Sequence, residues 1–329
     1  MRSPPALRWG VLGAAWIAER AVLPAIAAAG GEVVALASRT PERARALGRQ
    51  FPQARITPDY AGVLSDPQVE AVYLPLPNRL HEPWTLACAD AGKHVLCEKP
   101  LADHPEAARR MVRACADAGV VLAEAVMFRY HPRMEQLEQL CRGGRLGELR
   151  HVEAAFTFPL DPGPNFRWEA SLGGGALLDV GSYGVHAARW LLAAEPCRVA
   201  AVLQTSGGVD ASCAVALGFP ERRTAGVLAS FVAHEHQRLT VVGTRAVLTV
   251  PRPFTAWTGE RLPFELVQDG VSSAIPTPAA DPYRAMVLAF TRSVRTGAPL
   301  LTPGSDGLRT LEVLQACREL PGTTAAAPV

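Results

Sequence analysis

The first third of the chain alternates between two hydrophobic patterns. Short runs that are apolar almost throughout predict buried strands, and longer segments with helical periodicity predict helices. The predicted strands cover residues 7–12, 32–38, 69–74, 93–97 and 120–124, and the predicted helices cover residues 16–29, 79–91, 103–118 and a segment that begins with Thr40 as N-cap and Pro41 at the first helical position. Strands and helices that alternate in this way predict a doubly wound parallel sheet.

The carboxyl ends of parallel strands lie along one edge of the sheet, because the crossovers between them are right-handed, and ligands bind at that edge. Gly13, Ser38, residues 75–78 and the pair Glu98–Lys99 all fall at or just after the ends of predicted strands. The pattern therefore predicts that these residues converge at a ligand-binding edge.

After about residue 126 the pattern changes. Long β-like runs joined by short turns predict a mainly antiparallel open sheet. These runs cover residues 149–158, 198–206, 211–219, 224–233, 236–243 and 245–250, and helices are predicted over 131–142, 180–193, 282–296 and 305–319. We predict an α/β protein in which residues 1–125 form the doubly wound domain and residues 126–329 form a second, α+β domain.

The composition agrees with two domains, since 329 residues are too many for one ordinary core. The net charge of +2, without any basic run or arginine-rich tail, gives no reason to expect a nucleic-acid partner. No apolar stretch reaches the ~20 residues that a bilayer span needs, so we expect no membrane partner.

The seven cysteines are odd in number, form no C-x-x-C pair and lie mostly among apolar residues, as reduced core cysteines do. Residues 1–5 lead into a short strand and not into the apolar region of a signal peptide. These features predict a cytoplasmic protein. The Thr-, Ala- and Pro-rich tail after Gly322 is predicted to be disordered.

Residues 13–18, with the sequence G-A-A-W-I-A, approximate the G-x-G-x-x-G/A pattern of dinucleotide-binding turns. Ala15 occupies the second glycine position, where the backbone normally approaches the pyrophosphate closely. A pyrophosphate would bind the N–H groups of Trp16 and Ile17 at the positive end of the helix. Taken alone, this segment is also compatible with a turn of small residues that binds no ligand.

The end of the second strand predicts which cofactor binds. An acidic residue there binds the ribose hydroxyl of NAD, and a basic residue accommodates the 2′-phosphate of NADP. The chain has Ser38 and Arg39 at this end, with Arg43 one turn later and no acidic residue at that position. We therefore predict NADP, with NAD as the second possibility, although Arg39 alone could be an ordinary solvated side chain.

Lys99 follows a predicted strand and precedes Pro100, which restricts it to an extended backbone. A lysine at this edge can bridge the nicotinamide ribose and a substrate hydroxyl, and its charge lowers the pKa of a nearby acid. A lysine at the end of a strand, considered without this context, is more often a surface residue.

Asp179 and Tyr183 are four residues apart and share one face of a predicted helix. The ordinary pKa of a tyrosine is about 10, and it would fall next to Lys99 and an oxidised nicotinamide. Tyr183 is therefore the candidate general acid and base. Asp179 could orient a substrate hydroxyl or Lys99, could cap the helix, or both.

Further candidates surround these residues in the sequence. Candidate cofactor contacts are Pro75, Leu76, Asn78, His81 and Glu98, and candidate substrate contacts are Arg129, Arg167 and Trp168. His234 and His236 would share one face of a strand, but no third ligand is evident, so we predict no metal site.

Five segments resemble the glucose–fructose oxidoreductase/inositol dehydrogenase/MocA family, and the resemblance covers nearly the whole chain. They are residues 10–18, 77–81 (P-N-R-L-H), 92–100 (G-K-H-V-L-C-E-K-P), 124–132 (E-A-V-M-F-R-Y-H-P) and 173–183 (G-G-G-A-L-L-D-V-G-S-Y). The resemblance implies a Rossmann domain followed by an α/β domain that binds substrate and whose sheet often forms dimer contacts. It also implies catalytic roles for Lys99, Asp179 and Tyr183.

The expected activity is therefore that of an NADP-preferring oxidoreductase of a sugar, polyol or keto-sugar. Residues 127–132 resemble the sugar 1-dehydrogenases, whereas Ala15 resembles the ketoreductases of nucleotide-linked keto-sugars, so both subgroups stay open. Two other classes share the fold. NAD-dependent glycoside hydrolases usually carry a different His-rich motif, and dinucleotide-sensing regulators tend to lose the lysine or the tyrosine that this chain retains.

Overall fold

The structure is a computed structural model that describes residues 6–256 and 258–319. Residues 1–5, where we predicted no signal peptide, lie outside the described residues. The tail after Gly322, which we predicted to be disordered, lies outside them as well.

The chain forms two compact units. Among the described residues, one unit contains residues 6–130 together with Tyr283–Leu308, and the other contains residues 131–256, 258–282 and 309–319. The boundary between residues 125 and 126 stays a prediction, and it placed the Tyr283–Leu308 segment in the second domain.

The first unit is built on a parallel six-stranded sheet. Its strands are β1 (Arg8–Leu12), β2 (Glu32–Ala37), β3 (Arg55–Ile56), β4 (Ala71–Leu74), β5 (His94–Cys97) and β6 (Leu122–Glu124). They follow the order β3-β2-β1-β4-β5-β6, so the direction of winding reverses between β1 and β4. Dinucleotides bind at this reversal in sheets of the same order. The predicted doubly wound parallel sheet is confirmed.

Helices connect these strands. They are a π-helical turn (Ala18–Val22) that continues into α1 (Leu23–Ala28), then α2 (Pro41–Gly48), α3 (Tyr60–Leu64), α4 (His81–Asp90) and α5 (Pro105–Asp117). Thr40 occupies the extended N-cap position of α2, but its side chain makes no capping bond. Its N–H donates instead to Ser38 Oγ at 3.2 Å.

The second unit contains α6 (Pro132–Arg142) and α7 (Ser182–Leu192), with an eight-stranded sheet. Its strands are β7 (Leu149–Thr157), β8 (Arg198–Ser206), β9 (Val209–Phe219), β10 (Arg223–Ser230), β11 (His236–Gly243), β12 (Ala246–Pro251), β13 (Phe264–Gln268) and β14 (Val271–Ile275). The order is β14-β13-β12-β11-β7-β10-β9-β8, and only β7 and β10 pair in parallel. The predicted, mainly antiparallel sheet is confirmed.

Two helices follow, α8 (Pro282–Thr296) and α9 (Gly304–Arg318). Most of α8 returns to the first unit, where Phe290 packs against the fully buried Trp9 with ring centroids 5.2 Å apart. Arg295 of α8 also pairs with Glu70 at 2.8 Å. These contacts explain why a C-terminal segment belongs to the N-terminal unit.

In the part of the chain that the structure describes, no helix combines the length and the apolar character needed to cross a membrane.

Candidate active site

The turn after β1 has the backbone of a dinucleotide-binding turn. Gly13 has φ +120°, and its N–H donates to the carbonyl of Ala37 at 2.8 Å. A Cβ at residue 13 would lie 3.1 Å from the carbonyl oxygen of Pro75, so glycine lets the ends of β1 and β4 meet. The half-buried Ala15 follows, and its carbonyl accepts the N–H of Ala18 at 3.0 Å. A helix that begins directly after this small-residue turn fits an anionic pyrophosphate.

A cleft of about 250 Å³ lies beside this turn, lined by Ala14, Trp16, Glu19, Arg43, Ala46 and Leu47. Trp16, at the start of the helix, exposes 61% of its surface, and the neighbouring Ile17 is half-buried. Arg43 is exposed on α2. An indole and a guanidinium in one cleft suit a nucleobase and a phosphate, so these residues fit the adenosine end of the predicted cofactor.

Ser38 and Arg39 lie at the end of β2 as predicted, the first half-buried and the second exposed. Arg39 lies near Tyr60 of α3. Burial raises the pKa of Tyr60, and the charge and backbone of Arg39 oppose that increase. The Ser38 hydroxyl accepts the N–H of Thr40, which leaves its own proton to donate.

The loop after β4 places Pro75, Leu76 and Asn78 in buried positions, and Asn78 is only 3% exposed. His81 begins α4 and is fully buried. Its Nδ1 lies 3.0 Å from the carbonyl oxygen of Pro100 and its Nε2 lies 2.8 Å from that of Leu76. The imidazole therefore joins the loop after β4 to the loop after β5.

Lys99 lies in the loop after β5, half-buried, and its peptide bond to Pro100 is cis. The neighbouring Glu98 carboxylate accepts the hydroxyl of Tyr73 at 2.6 Å and the N–H of Lys99 at 3.3 Å. Burial and the Glu98 charge hold the pKa of Tyr73 well above its usual range, so Tyr73 remains the donor. The structure thus brings Leu76, His81, Glu98 and Lys99 to one edge of the sheet.

Asp179 and Arg167 form an ion pair. Asp179 is 5% exposed and lies within a π-helical turn, Leu177–Gly181, that leads into α7. Arg167 Nε donates to Asp179 Oδ2 at 2.7 Å. Because the helical segment already begins at Ala176, Asp179 lies inside it and does not cap it. Two predicted substrate contacts are therefore brought together by a direct charge-assisted bond.

Tyr183, on α7, is 6% exposed and lies in an aromatic cluster. Its ring centroid lies 5.6 Å from that of Phe156 and 5.3 Å from that of Phe254. The two phenylalanine rings stack on each other at 5.8 Å. Apolar walls of this kind exclude water and strengthen electrostatic effects on a hydroxyl group.

Arg129 and Trp168 complete the predicted set. Arg129 is half-buried in a 3-10 turn, Met127–Tyr130. Trp168 is half-buried in the second unit, where its Nε1 donates to the carbonyl of Asp161 at 3.1 Å. Its ring packs edge-to-face on Phe231 at 5.5 Å.

Two family models match most of the chain. Residues 7–126 match the oxidoreductase family with an NAD-binding Rossmann fold, and residues 134–249 match the GFO/IDH/MocA C-terminal domain. The chain belongs to the GFO/IDH/MocA family of oxidoreductases. The family resemblance and the dinucleotide-binding fold predicted from the sequence are therefore confirmed.

Individual family members align over almost the full length. A D-xylose 1-dehydrogenase (NADP(+)) of Haloferax volcanii is 35% identical, with 97% of this chain and 99% of the relative covered. A dTDP-3,4-didehydro-2,6-dideoxy-α-D-glucose 3-reductase of Streptomyces violaceoruber is 38% identical, with 88% and 86% covered. A crystal structure of a 3-ketoreductase from Actinomadura kijaniata, in complex with NADP and TDP-benzene, superimposes with a TM-score of 0.91 at 32% identity, and covers 95% of this chain and 97% of that one.

One carboxylate that holds the start of the helix carrying Asp179 and Tyr183 was missed in the sequence analysis. Asp210 of β9 is 7% exposed, and its Oδ2 accepts the N–H of Leu177 at 2.5 Å, so a remote strand caps the helix that carries Asp179 and Tyr183. A Cβ at Gly175, where φ is +114°, would collide with the same carboxylate. A lone acid within an otherwise apolar strand is the signal that could have identified it.

The predicted strand geometry of the histidine pair is wrong. β11 begins only at His236, and the exposed His234 lies in the irregular segment before it, so the two rings do not share a strand face. Within residues 6–256 and 258–319, no three His, Cys, Asp or Glu side chains come together in a way that could hold a metal ion.

Proposed function

We propose that this family member is an NADP-preferring oxidoreductase of a sugar, polyol or keto-sugar. The observation that carries the proposal is the placement of Gly13 and Lys99 after strands of the same parallel sheet, together with a cleft next to the Gly13 turn that contains Trp16 and Arg43. The relatives support the substrate class, since their names describe a sugar dehydrogenase and a keto-sugar reductase.

We assign three roles to residues of the chain. Tyr183 gives a proton to, or takes it from, the reacting oxygen of the substrate. Lys99 holds that oxygen and stabilises the charge that develops on it. Asp179, fixed by Arg167 at 2.7 Å, orients the substrate hydroxyl. The nicotinamide, when bound, supplies the hydride exchange with the substrate carbon.

The amino-acid composition supports a specific role for Lys99. The sequence has 33 basic residues, of which only Lys93 and Lys99 are lysines. Lys93 Nζ donates to the carbonyls of Asp66 and Val69 at 3.0 and 2.7 Å, so it serves the fold. All the basic residues apart from these two lysines are arginines. A lysine carries a compact ammonium instead of a planar guanidinium, which suits contact between residue 99 and a single oxygen.

The first experiment is a fluorescence titration with NADPH and NADH, followed by an absorbance screen of aldoses, polyols and keto-sugars. We expect tighter binding of NADPH and an absorbance change that depends on a sugar-like substrate. Tyr183→Phe should retain NADPH affinity and lose turnover by about 10²- to 10⁴-fold, the usual contribution of a positioned acid or base. Tyr283→Phe, another buried tyrosine, is the matched control. Failure of both nucleotides to bind would overturn the proposal.

We also propose that the chain forms a homodimer or a higher homo-oligomer through the open face of the second sheet. Val202, Ala214 and Leu228 lie side by side across β8, β9 and β10, and Val202 and Leu228 are 59% and 39% exposed. A second copy would bury this apolar row. Leu228→Lys should shift the sedimenting species to monomer, whereas Val271→Lys, at a valine that is 67% exposed on the β13–β14 hairpin, should not.

A further inference from the structure

The loop Glu98–Leu101, which contains Lys99, forms hydrogen bonds with buried side chains from other parts of the first unit. Three residues supply these bonds: Tyr73, His81 and Glu124. The roles proposed above use none of the three. Burying a polar side chain costs free energy unless the side chain is hydrogen-bonded, and all three are hydrogen-bonded to this one loop. Three buried polar side chains around one loop therefore indicate that they fix its position.

Glu124 is the first anchor. It ends β6, is 2% exposed, and its Oε1 accepts the N–H of Leu101 at 2.7 Å. Its Oε2 faces the first turn of α9, because a Cβ at Gly307 would come within 2.8 Å of it. The Thr302 hydroxyl donates to the Glu124 carbonyl at 2.7 Å, and the Thr302 carbonyl accepts the Glu124 N–H at 3.0 Å. Thr302 therefore holds the backbone of Glu124 in place, and the Glu124 carboxylate binds the Leu101 N–H from this fixed position.

His81 is the second anchor. Carbonyl oxygens only accept hydrogen bonds, so a neutral imidazole donates to Pro100 or to Leu76, and a protonated one donates to both. Burial lowers the pKa of His81, and the two carbonyls and the charge of Asp103 oppose that decrease. In either protonation state, the ring lies between the loops that follow β4 and β5.

We propose that Glu124 and His81 are positioning residues that together hold Lys99 at the cofactor edge. The inference rests on the role proposed for Lys99. The ammonium of a lysine stands at the end of four flexible carbons. The region that it can reach is therefore set by the position of the Lys99 backbone. Pro100 is held at its carbonyl by His81, and Leu101 is held at its N–H by Glu124. A misplacement of about 1 Å at such a group costs about 100-fold in rate.

The small number of lysines gives a direct measurement. Protein labelled with ¹³C at lysine Cε has two lysine signals, and Lys93→Arg assigns them. Glu124→Ala should shift the Lys99 signal and leave the Lys93 signal in place. The matched control is Asp66→Ala, which removes another buried carboxylate, 4% exposed, from the turn whose carbonyls bind Lys93. It should shift the Lys93 signal alone.

Glu124→Gln keeps an oxygen for the Leu101 N–H and should bring the Lys99 signal back toward its wild-type position. The proposal is wrong if Glu124→Ala leaves both signals unchanged or moves both alike. If Glu124→Ala yields no folded protein, His81→Ala applies the same test to the second anchor, with the same two outcomes against it.

Two further measurements separate this inference from the proposed function. On a substrate found in the screen, kcat should fall about 100-fold in Glu124→Ala, with a smaller change in KM. Addition of NADP⁺ to the wild-type protein should shift the Lys99 signal. If NADP⁺ leaves that signal unmoved while Glu124→Ala still moves it, the role of Lys99 in the proposed function fails and the positioning by Glu124 stands.

Discussion

Two arginines of α2 differ in what they face. Arg43 lines the cleft that contains Trp16, whereas Arg45, two residues further along the helix, pairs with Glu42 at 3.6 Å. We expect Arg43→Ala to weaken NADPH binding by about 10- to 100-fold, the value of one charge-assisted bond to a phosphate, and to leave NADH binding nearly unchanged. Fluorescence titration of both nucleotides measures the ratio.

Arg45→Ala is the matched control, since it removes the same charge from the same helix. An equal loss of NADPH affinity in both variants would mean that only the net charge of α2 matters. An equal loss of NADPH and NADH affinity in Arg43→Ala would contradict the assignment of this arginine to the 2′-phosphate.

Residues whose position depends on the local backbone could be placed from the sequence, and contacts that join distant parts of the fold could not. Gly13 was predictable because a glycine directly after a buried strand indicates a turn with positive φ or a close approach of two backbones. The pairing of Arg167 with Asp179 was not, because the two residues are joined through a loop that no hydrophobic period describes. His81 was predicted at the correct edge, but its burial between two carbonyls depends on Pro100, 19 residues away.

Elements with a strong period were predicted and weak ones were missed. β8 and β11 have the bounds predicted from their long β-like runs, residues 198–206 and 236–243. β3 has only two residues, both exposed, and most residues of β14 are exposed, so neither has an apolar face to detect. The helix predicted over 180–193 begins earlier, at Ala176, because the π-helical turn Leu177–Gly181 breaks the 3.6-residue period there.

The cap of this helix gives a prediction at the scale of the element. Asp210→Ala removes the acceptor of the Leu177 N–H and leaves that donor buried, so we expect a loss of about 1–3 kcal/mol in the free energy of unfolding. Turnover should fall as well, because Asp179 and Tyr183 follow within two turns of the capped end. Urea unfolding and steady-state kinetics measure the two effects.

Asp59→Ala provides the comparison, since Asp59 caps α3 through the N–H of Gly62 at 2.8 Å. It should cost about 0.5–2 kcal/mol without an effect on turnover. Wild-type turnover in a destabilised Asp210→Ala protein would show that other contacts hold the start of the site helix.

At the scale of the whole molecule, the order of domains along the chain could be predicted, but the return of the last helices could not. The parallel sheet and the open sheet each have a distinct hydrophobic pattern, which separated them in the sequence. The placement of Phe290 against Trp9 joins residues 281 positions apart, and no local pattern contains that information. The same holds for the bond from Arg295 to Glu70.

Acid should destabilise the molecule through a buried histidine. Burial, and then the charge of Arg133, lower the pKa of His131 to about 4, and Asp281 opposes them. The ring is 2% exposed, and its Nδ1 accepts the N–H of Arg133 at 3.1 Å, which requires that nitrogen to be unprotonated. Because the folded pKa lies below the unfolded one, the stabilisation is complete above pH ~6.5 and is lost as the pH falls toward 4.

The full difference corresponds to a loss on the order of 3 kcal/mol. Urea unfolding at pH 7 and pH 4.5 measures most of it. Over this range Glu70, whose pKa the Arg295 bond lowers to about 2, keeps its charge in the folded protein and contributes little, because an unfolded glutamate begins to protonate only near the lower end of the range. His131→Asn can still accept the Arg133 N–H but does not titrate, so its stability should fall less between the two pH values. Part of the slope should remain, because burial also lowers the pKa of His81 and His94.

His234→Asn, at an exposed ring, should keep the wild-type slope. An unchanged slope in His131→Asn would show that the acid sensitivity arises elsewhere.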